Sequence, residues 1–344
     1  MLTYHPSPDF VGAMTRWGRA LAERGYGPVK SAHALGILAW HGKAMDGTFW
    51  RRKNVAEGRM ATQVDLLIRG NAATQEAARD ALGDEAWDAG VICEADGSIV
   101  VTGMVLAISR DLIWTDRADR AFQGADGLFI PDSTSMALRR CLPPARVGRH
   151  LDLGCGAGAV TVAAARNADE VVAVDLNLRA VDGCYRSAAL NGLDNVGVWI
   201  GDALGSHSLG TFDQITFVLP LLVPWVGLAD TQVHTVANRD DLLSRLVQRL
   251  PDMLCPGGRA ILYCQDWVGG EPLPVALARS FGSRPFRGLF WWDYEGETPK
   301  GTLRAGVMIV EADRAGDWRS VEREAPDEGC DDWWPWIERH LNPE

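Results

Sequence analysis

The sequence predicts a doubly wound α/β sheet as the main body of the chain, and two features carry that reading. The apolar run Arg149-His150-Leu151-Asp152-Leu153 breaks into glycines at 154, 156 and 158 and then into an alanine-rich stretch. A second apolar run, Glu170-Val171-Val172-Ala173-Val174, ends on Asp175. Glycine is needed where the backbone turns with positive φ or comes close to a ligand, and the helix start that follows offers free N–H groups. An acid about 20 residues beyond such a loop is placed to accept hydrogen bonds from ribose hydroxyls. The pair therefore predicts a site for a nucleotide-type cofactor, with a glycine-rich turn in an unrelated α/β protein as the alternative.

Later segments extend the pattern in order. They are Val174-Asp175-Leu176-Asn177, Ile200-Gly201-Asp202-Ala203-Leu204, Phe212-Asp213-Gln214-Ile215-Thr216-Phe217-Val218-Leu219 and Leu254-Cys255-Pro256-Gly257-Gly258-Arg259-Ala260-Ile261-Leu262. Together with the glycine loop, this succession resembles the class I S-adenosylmethionine-dependent methyltransferase superfamily. The resemblance implies a Rossmann-like core of seven strands, with the last, antiparallel pair near residues 285–294 and 303–312. It also implies S-adenosyl-L-methionine as cofactor. Asp152, Gly154, Gly156 and Gly158 would surround its methionine portion, Asp175 would meet the ribose, Leu176 would flank adenine, and Asp202 would meet the adenine amino group. Ala203 and Leu219 complete the cofactor set expected from these motifs.

Length and composition frame the rest. A chain of 344 residues with 47% hydrophobic content can bury a large core, and its length favours two domains. The expected division is 1–120 as an accessory domain and 121–344 as the core with a Trp-rich tail. From about residue 8 to 90 the pattern is helical, with helices expected over Phe10–Arg24 and Thr74–Leu82. A hairpin is expected where two β-rich runs flank Asp96-Gly97. Helices followed by a hairpin resemble a winged-helix module, although Lys and Arg only balance Asp and Glu in residues 1–120. Covering the active site, holding substrate or making a homodimer contact are the roles expected of this part.

A formal charge of −11 argues against broad charge-driven binding to nucleic acid or anionic membrane. The seven cysteines contain no CxxC pair, which points to reduced thiols rather than a metal site or disulfide framework. With neither a signal-peptide pattern nor a membrane-length apolar run, the expectation is a cytoplasmic protein without a membrane partner. The tail from Trp318 carries Trp318, Trp333, Trp334 and Trp336, expected to pack on the core rather than line a pocket.

The stretch Gly124–Ser135 resembles the entry loop of the release-factor glutamine methyltransferase group, which implies that Phe129 and Thr134 lie near the sulfonium. That group ends its fourth strand in Asn-Pro-Pro-Tyr, whose oxygens orient a planar nitrogen. This chain has Val218-Leu219-Pro220-Leu221 there instead, and valine accepts no hydrogen bond. The divergence points to methyl transfer onto a small metabolite, in specialised metabolism. One alternative keeps the cofactor and attacks its aminocarboxypropyl arm, cyclising it to azetidine-2-carboxylate with release of methylthioadenosine; another is a cofactor-binding regulator without catalysis. An amine or thiol acceptor needs positioning more than a base, whereas a phenol or alcohol would want one. His234, Trp225 and Tyr263 are the candidates near the acceptor, although a lone histidine is more often structural and each aromatic residue is as readily core.

Overall fold

The computed structural model describes residues 1–26, 58–117, 131, 133–220, 242–298, 301–322 and 332–342. The chain opens with a short strand, β1 (Leu2–Tyr4), followed by α1 (Pro8–Glu23), whose first turn is closed by Ser7 Oγ accepting from Phe10 N at 3.3 Å. Next come α2 (Gly58–Val64), α3 (Gln75–Leu82) and the single turn α4 (Glu85–Asp88). Thr74 caps α3 through Ala77 N. The expected hairpin is present as β2 (Ile92–Ala95) and β3 (Ser98–Val101), with Asp96 at φ 51° and Gly97 at φ 70°. Two successive left-handed residues match the right-handed twist of the strands they join. A second hairpin, β4 (Met104–Ile108) and β5 (Asp111–Thr115), follows it without an Asp-Gly signal; Ser109 takes the positive φ instead.

The core contains α5 (Ser133–Arg140), β6 (Val147–Leu153), α6 (Ala159–Ala165), β7 (Ala168–Asp175), α7 (Leu178–Leu190) and β8 (Val196–Ile200). A 3₁₀ turn over Ala203–Leu209 leads to β9 (Phe212–Val218). Then come α8 (Leu242–Met253), β10 (Leu254–Trp267), α9 (Leu273–Phe281), β11 (Phe286–Thr298), β12 (Gly301–Ala312), β13 (Trp318–Glu322) and α10 (Trp334–Leu341). Strands β6 to β10 are mutually parallel, and β12 runs antiparallel to both β10 and β11.

The expected seven strands and closing antiparallel pair are there, but the sheet is larger. Its order is β1-β8-β7-β6-β9-β10-β12-β11-β13, nine strands among the described residues. The additions lie at the two ends, where a seven-stranded sheet would leave unpaired backbone groups. The N-terminal segment thus supplies a strand to the core sheet. Neither addition carries a sequence signal, because three to five residues are too few to show a period.

Side chains of β10 alternate between two apolar clusters. Ala260, Leu262 and Cys264 pack with α8 and α9, whereas Ile261 and Tyr263 pack with α5 and α10. The tryptophans of the tail pack as expected: Trp333 and Trp334 are buried, and the Trp333 ring meets Trp291 edge-on at 5.1 Å. Among the described residues no helix is long and apolar enough to cross a membrane.

Candidate functional site

In this topology the strand order reverses beside β6, since its connections run first towards β7 and β8 and then back to β9 on its other side. Open α/β sheets bind ligands outside the carboxyl ends of their strands at such a switch point. The glycine loop stands there. Gly154, Gly156 and Gly158 have φ of 59°, 54° and 84°, all in the left-handed region that favours glycine. Two of them also lack room for a side chain. A Cβ on Gly154 would lie 2.7 Å from Phe217 Cε2, and one on Gly158 would lie 3.0 Å from Cys184 Sγ. A Cβ on Gly156 would meet nothing nearer than Gly154 O at 4.0 Å, so this position faces open space.

Asp175, at the tip of β7, is tied to the same loop. One carboxylate oxygen accepts from Gly156 N and the other from Asn177 N, each at 2.9 Å. Burial pushes its carboxyl above the usual range, while the backbone N–H donors of Asn177, Gly156 and Leu176 pull it back. A carboxylate has about four lone-pair sites, so acceptor capacity remains for hydroxyl groups. The main-chain oxygen of Asp175 accepts from Gly201 N at 2.9 Å, joining the tip of β7 to the turn that carries Asp202. Asp202 is exposed, and its Oδ1 caps the 3₁₀ turn through Leu204 N at 2.9 Å. Ala203 beside it is half-buried. Leu176 and Leu178 are 52% and 56% exposed, an apolar pair left open beside the acid.

Asp152 departs from its expected place around a ligand. It lies beneath the loop, 3% exposed, with Oδ2 accepting from Thr161 Oγ1 at 2.5 Å and Oδ1 from Thr216 Oγ1 at 2.8 Å. Because the Thr216 hydroxyl proton points to Asp152, His150 Nε2, 3.0 Å away, donates to Thr216 Oγ1. His150 Nδ1 then accepts from Gln214 Nε2 at 3.1 Å. On the other side Cys184 Sγ donates to Thr161 Oγ1 at 3.6 Å. Every proton in this buried chain points towards Asp152. Burial raises the Asp152 carboxyl to about 6 against the pull of the two threonines, and burial lowers His150 to about 3.

Several other expected site residues are also buried. Thr134 is 8% exposed at the start of α5, and Leu219 is 4% exposed within the α8–α9 cluster, its N–H donating to Tyr263 O at 3.0 Å. Tyr263, a candidate catalytic group, is 5% exposed and packs in the cluster that holds Trp291 and Trp333. Phe129, Trp225 and His234 lie outside the described residues. The sequence reading missed Thr161, Thr216 and His150 as partners of Asp152. The signal was present in β9, where Gln214 and Thr216 alternate with apolar residues on a strand buried in the sheet.

Residues 124–284 match the model of the methyltransferase small domain. The ribosomal RNA small subunit methyltransferase C of Chromohalobacter salexigens is 28% identical over 189 residues, 52% of this chain and 51% of that protein. The ribosomal protein L11 methyltransferase of Wolinella succinogenes is 35% identical over 81 residues, 23% of this chain and 30% of its own length. The chain therefore spans about half or less of the curated relatives it matches. Among solved structures, the N-methyltransferase NodS of Bradyrhizobium japonicum, in complex with S-adenosyl-L-homocysteine, has a TM-score of 0.37 at 14% identity, covering 56% of this chain and 95% of that one.

Proposed function

We propose that the protein, whose residues 124–284 match the methyltransferase small domain, is a class I S-adenosylmethionine-dependent methyltransferase that transfers a methyl group from S-adenosyl-L-methionine to a small-molecule acceptor. One observation carries the cofactor reading: Asp175 and the open Gly156 face each other across a 2.9 Å hydrogen bond at the switch point. The site fits the group on its own geometry. Gly156 leaves open space that a Cβ would partly fill, and Leu176 and Leu178 offer apolar surface to a flat ring. Asp175 would hold the ribose hydroxyls, Asp202 the adenine amino group, and Gly154, Gly156 and Gly158 the methionine portion.

When bound, the cofactor supplies a methyl carbon made reactive by positively charged sulfur. The protein's part is to exclude water and to hold an acceptor in line with that carbon, and positioning of this kind contributes about 7–11 kcal/mol in well-oriented systems. The acceptor is read as small because Val218-Leu219-Pro220 lacks a side chain to orient a planar nitrogen, and because a chain of net charge −11 is poorly matched to a polyanion. The relatives named for ribosomal RNA and ribosomal protein supply the competing acceptors. The N-terminal segment is read as a cover for the substrate side of the core.

The test offers tritiated-methyl S-adenosyl-L-methionine to the protein with three acceptor pools: a small-molecule extract, ribosomal RNA and ribosomal protein. Label in the small-molecule pool alone is the expected result. Label in RNA or ribosomal protein would transfer the acceptor assignment to the relatives' class. Methylthioadenosine formed with no acceptor present would move the chemistry to the aminocarboxypropyl arm.

A further inference from the structure

Strand β1 lies against the part of the site that joins the two acids. In the seven-stranded order β8 would be the outer edge, and β1 pairs with it antiparallel, Leu2 opposite Ile200, Thr3 opposite Trp199 and Tyr4 opposite Val198. Past Ile200 the chain turns at Gly201, whose N–H is bonded to Asp175 O, and reaches Asp202. Met1 covers this turn: a Cβ on Gly201 would lie 2.6 Å from Met1 Cγ, and one on Gly205 would lie 3.6 Å from Met1 Cε. At its other end the strand is anchored on α7. Tyr4 Oη donates to Asp182 Oδ1 at 2.8 Å, and its ring stands edge-on to Tyr185 at 5.9 Å between centroids. Burial and the neighbouring carboxylate raise the Tyr4 phenol to about 12, so it remains a donor at neutral pH.

We propose that β1 is a positioning strand for the cofactor site, holding the Gly201–Asp202 turn against Asp175 so that docking of the strand and binding of the cofactor are coupled. This rests on the cofactor reading given above. The strand is short, and its outer residues Met1 and Leu2 are 42% and 72% exposed, so few contacts oppose its release. Coupling between two binding events is reciprocal. A strand that strengthens cofactor binding must itself be held more firmly when the cofactor is bound.

The experiment titrates S-adenosyl-L-homocysteine by calorimetry into the wild-type chain, a variant lacking residues 2–5, and Tyr4→Phe. It also follows amide hydrogen exchange of residues 1–7 with and without that ligand. The deletion is expected to weaken binding by about tenfold, within the usual span of coupled sites, and Tyr4→Phe by less. Saturating ligand is expected to slow exchange in residues 1–7. A deletion variant that melts cooperatively and binds like the wild type would overturn the proposal, as would exchange indifferent to ligand. If the deletion does not fold, Tyr4→Phe and the exchange rates decide. Wild-type protein that fails to bind S-adenosyl-L-homocysteine overturns the cofactor reading, and this inference with it.

Discussion

Asp111 Oδ2 accepts a hydrogen bond from Arg139 Nη2 at 2.8 Å, and the two side chains are only 2% and 8% exposed. Asp111 starts β5 in the N-terminal segment, whereas Arg139 belongs to α5 of the core, and Arg166 reaches the other carboxylate oxygen at 3.0 Å. Alongside, Asn191 Oδ1 accepts from Leu112 N and Ser187 Oγ accepts from Trp114 N, so strand β5 is bonded to α7 and to the residue after it. Removing one partner of a buried ion pair strands the other charge, at a cost of about 3–5 kcal/mol. Asp111→Ala should lower stability by that amount in urea melts; a loss under about 1 kcal/mol would mean that the pair is solvated like a surface bridge.

Asp175→Ala should weaken S-adenosyl-L-homocysteine binding by about 1.5–3 kcal/mol, the scale of hydrogen bonds to a charged group. Calorimetry with unchanged affinity would remove Asp175 from the site.

Two glycines of the loop should respond differently to alanine. Gly156→Ala meets no atom and bears only the left-handed backbone cost of about 1–2 kcal/mol. Gly154→Ala adds a clash with Phe217 on top of a similar φ, so it should be the less stable of the two in thermal melts. Binding should show the reverse emphasis, with Gly156→Ala losing cofactor affinity although it folds. Equal melts and equal affinities would contradict the difference in room at the two positions.

The buried pair His150 and Asp152 should leave opposite marks on acid stability. His150 stays neutral when folded down to about pH 3 but takes up a proton when unfolded from its ordinary value of 6.5. The unfolded chain therefore binds more protons across that window, and stability falls as pH drops from 6.5 by up to about 1.4 kcal/mol per unit. His150→Gln should flatten this loss.

Asp152 works the other way, rising from 3.8 to about 6 on folding. The folded chain then binds more protons between those values, so its contribution declines as pH rises through them and is constant above. The stability of wild type minus that of Asp152→Asn should fall by about 2 kcal/mol from pH 4 to pH 6, less than two full units at 1.36 kcal/mol because the slope is partial at both ends of the window. Urea melts across that range that show a constant difference would mean that Asp152 is ionised at no cost.

Much of the backbone geometry of the candidate site was legible because its constraints are local. Gly154, Gly156 and Gly158 need positive φ whatever surrounds them, and Asp175 must follow an apolar strand to stand at its tip. The same holds for the Asp96-Gly97 turn and for Thr74 at the start of α3. Asp152 was misplaced because its partners are distant in sequence. Thr216 lies 64 residues away, and only the pairing of β6 with β9 puts its hydroxyl under the loop.

By itself the sequence determined the succession of the main core strands, the backbone turns at the glycine loop, and the acid at the end of β7. These depend on side-chain period and on φ, which act over a few residues. Only the tertiary structure decided that β1 and β13 close the sheet edges, that Asp111 joins the N-terminal segment to the core, and that Asp152 faces inward. Such outcomes turn on which distant groups satisfy a buried charge or an unpaired strand edge, and that partner is selected when the chain packs.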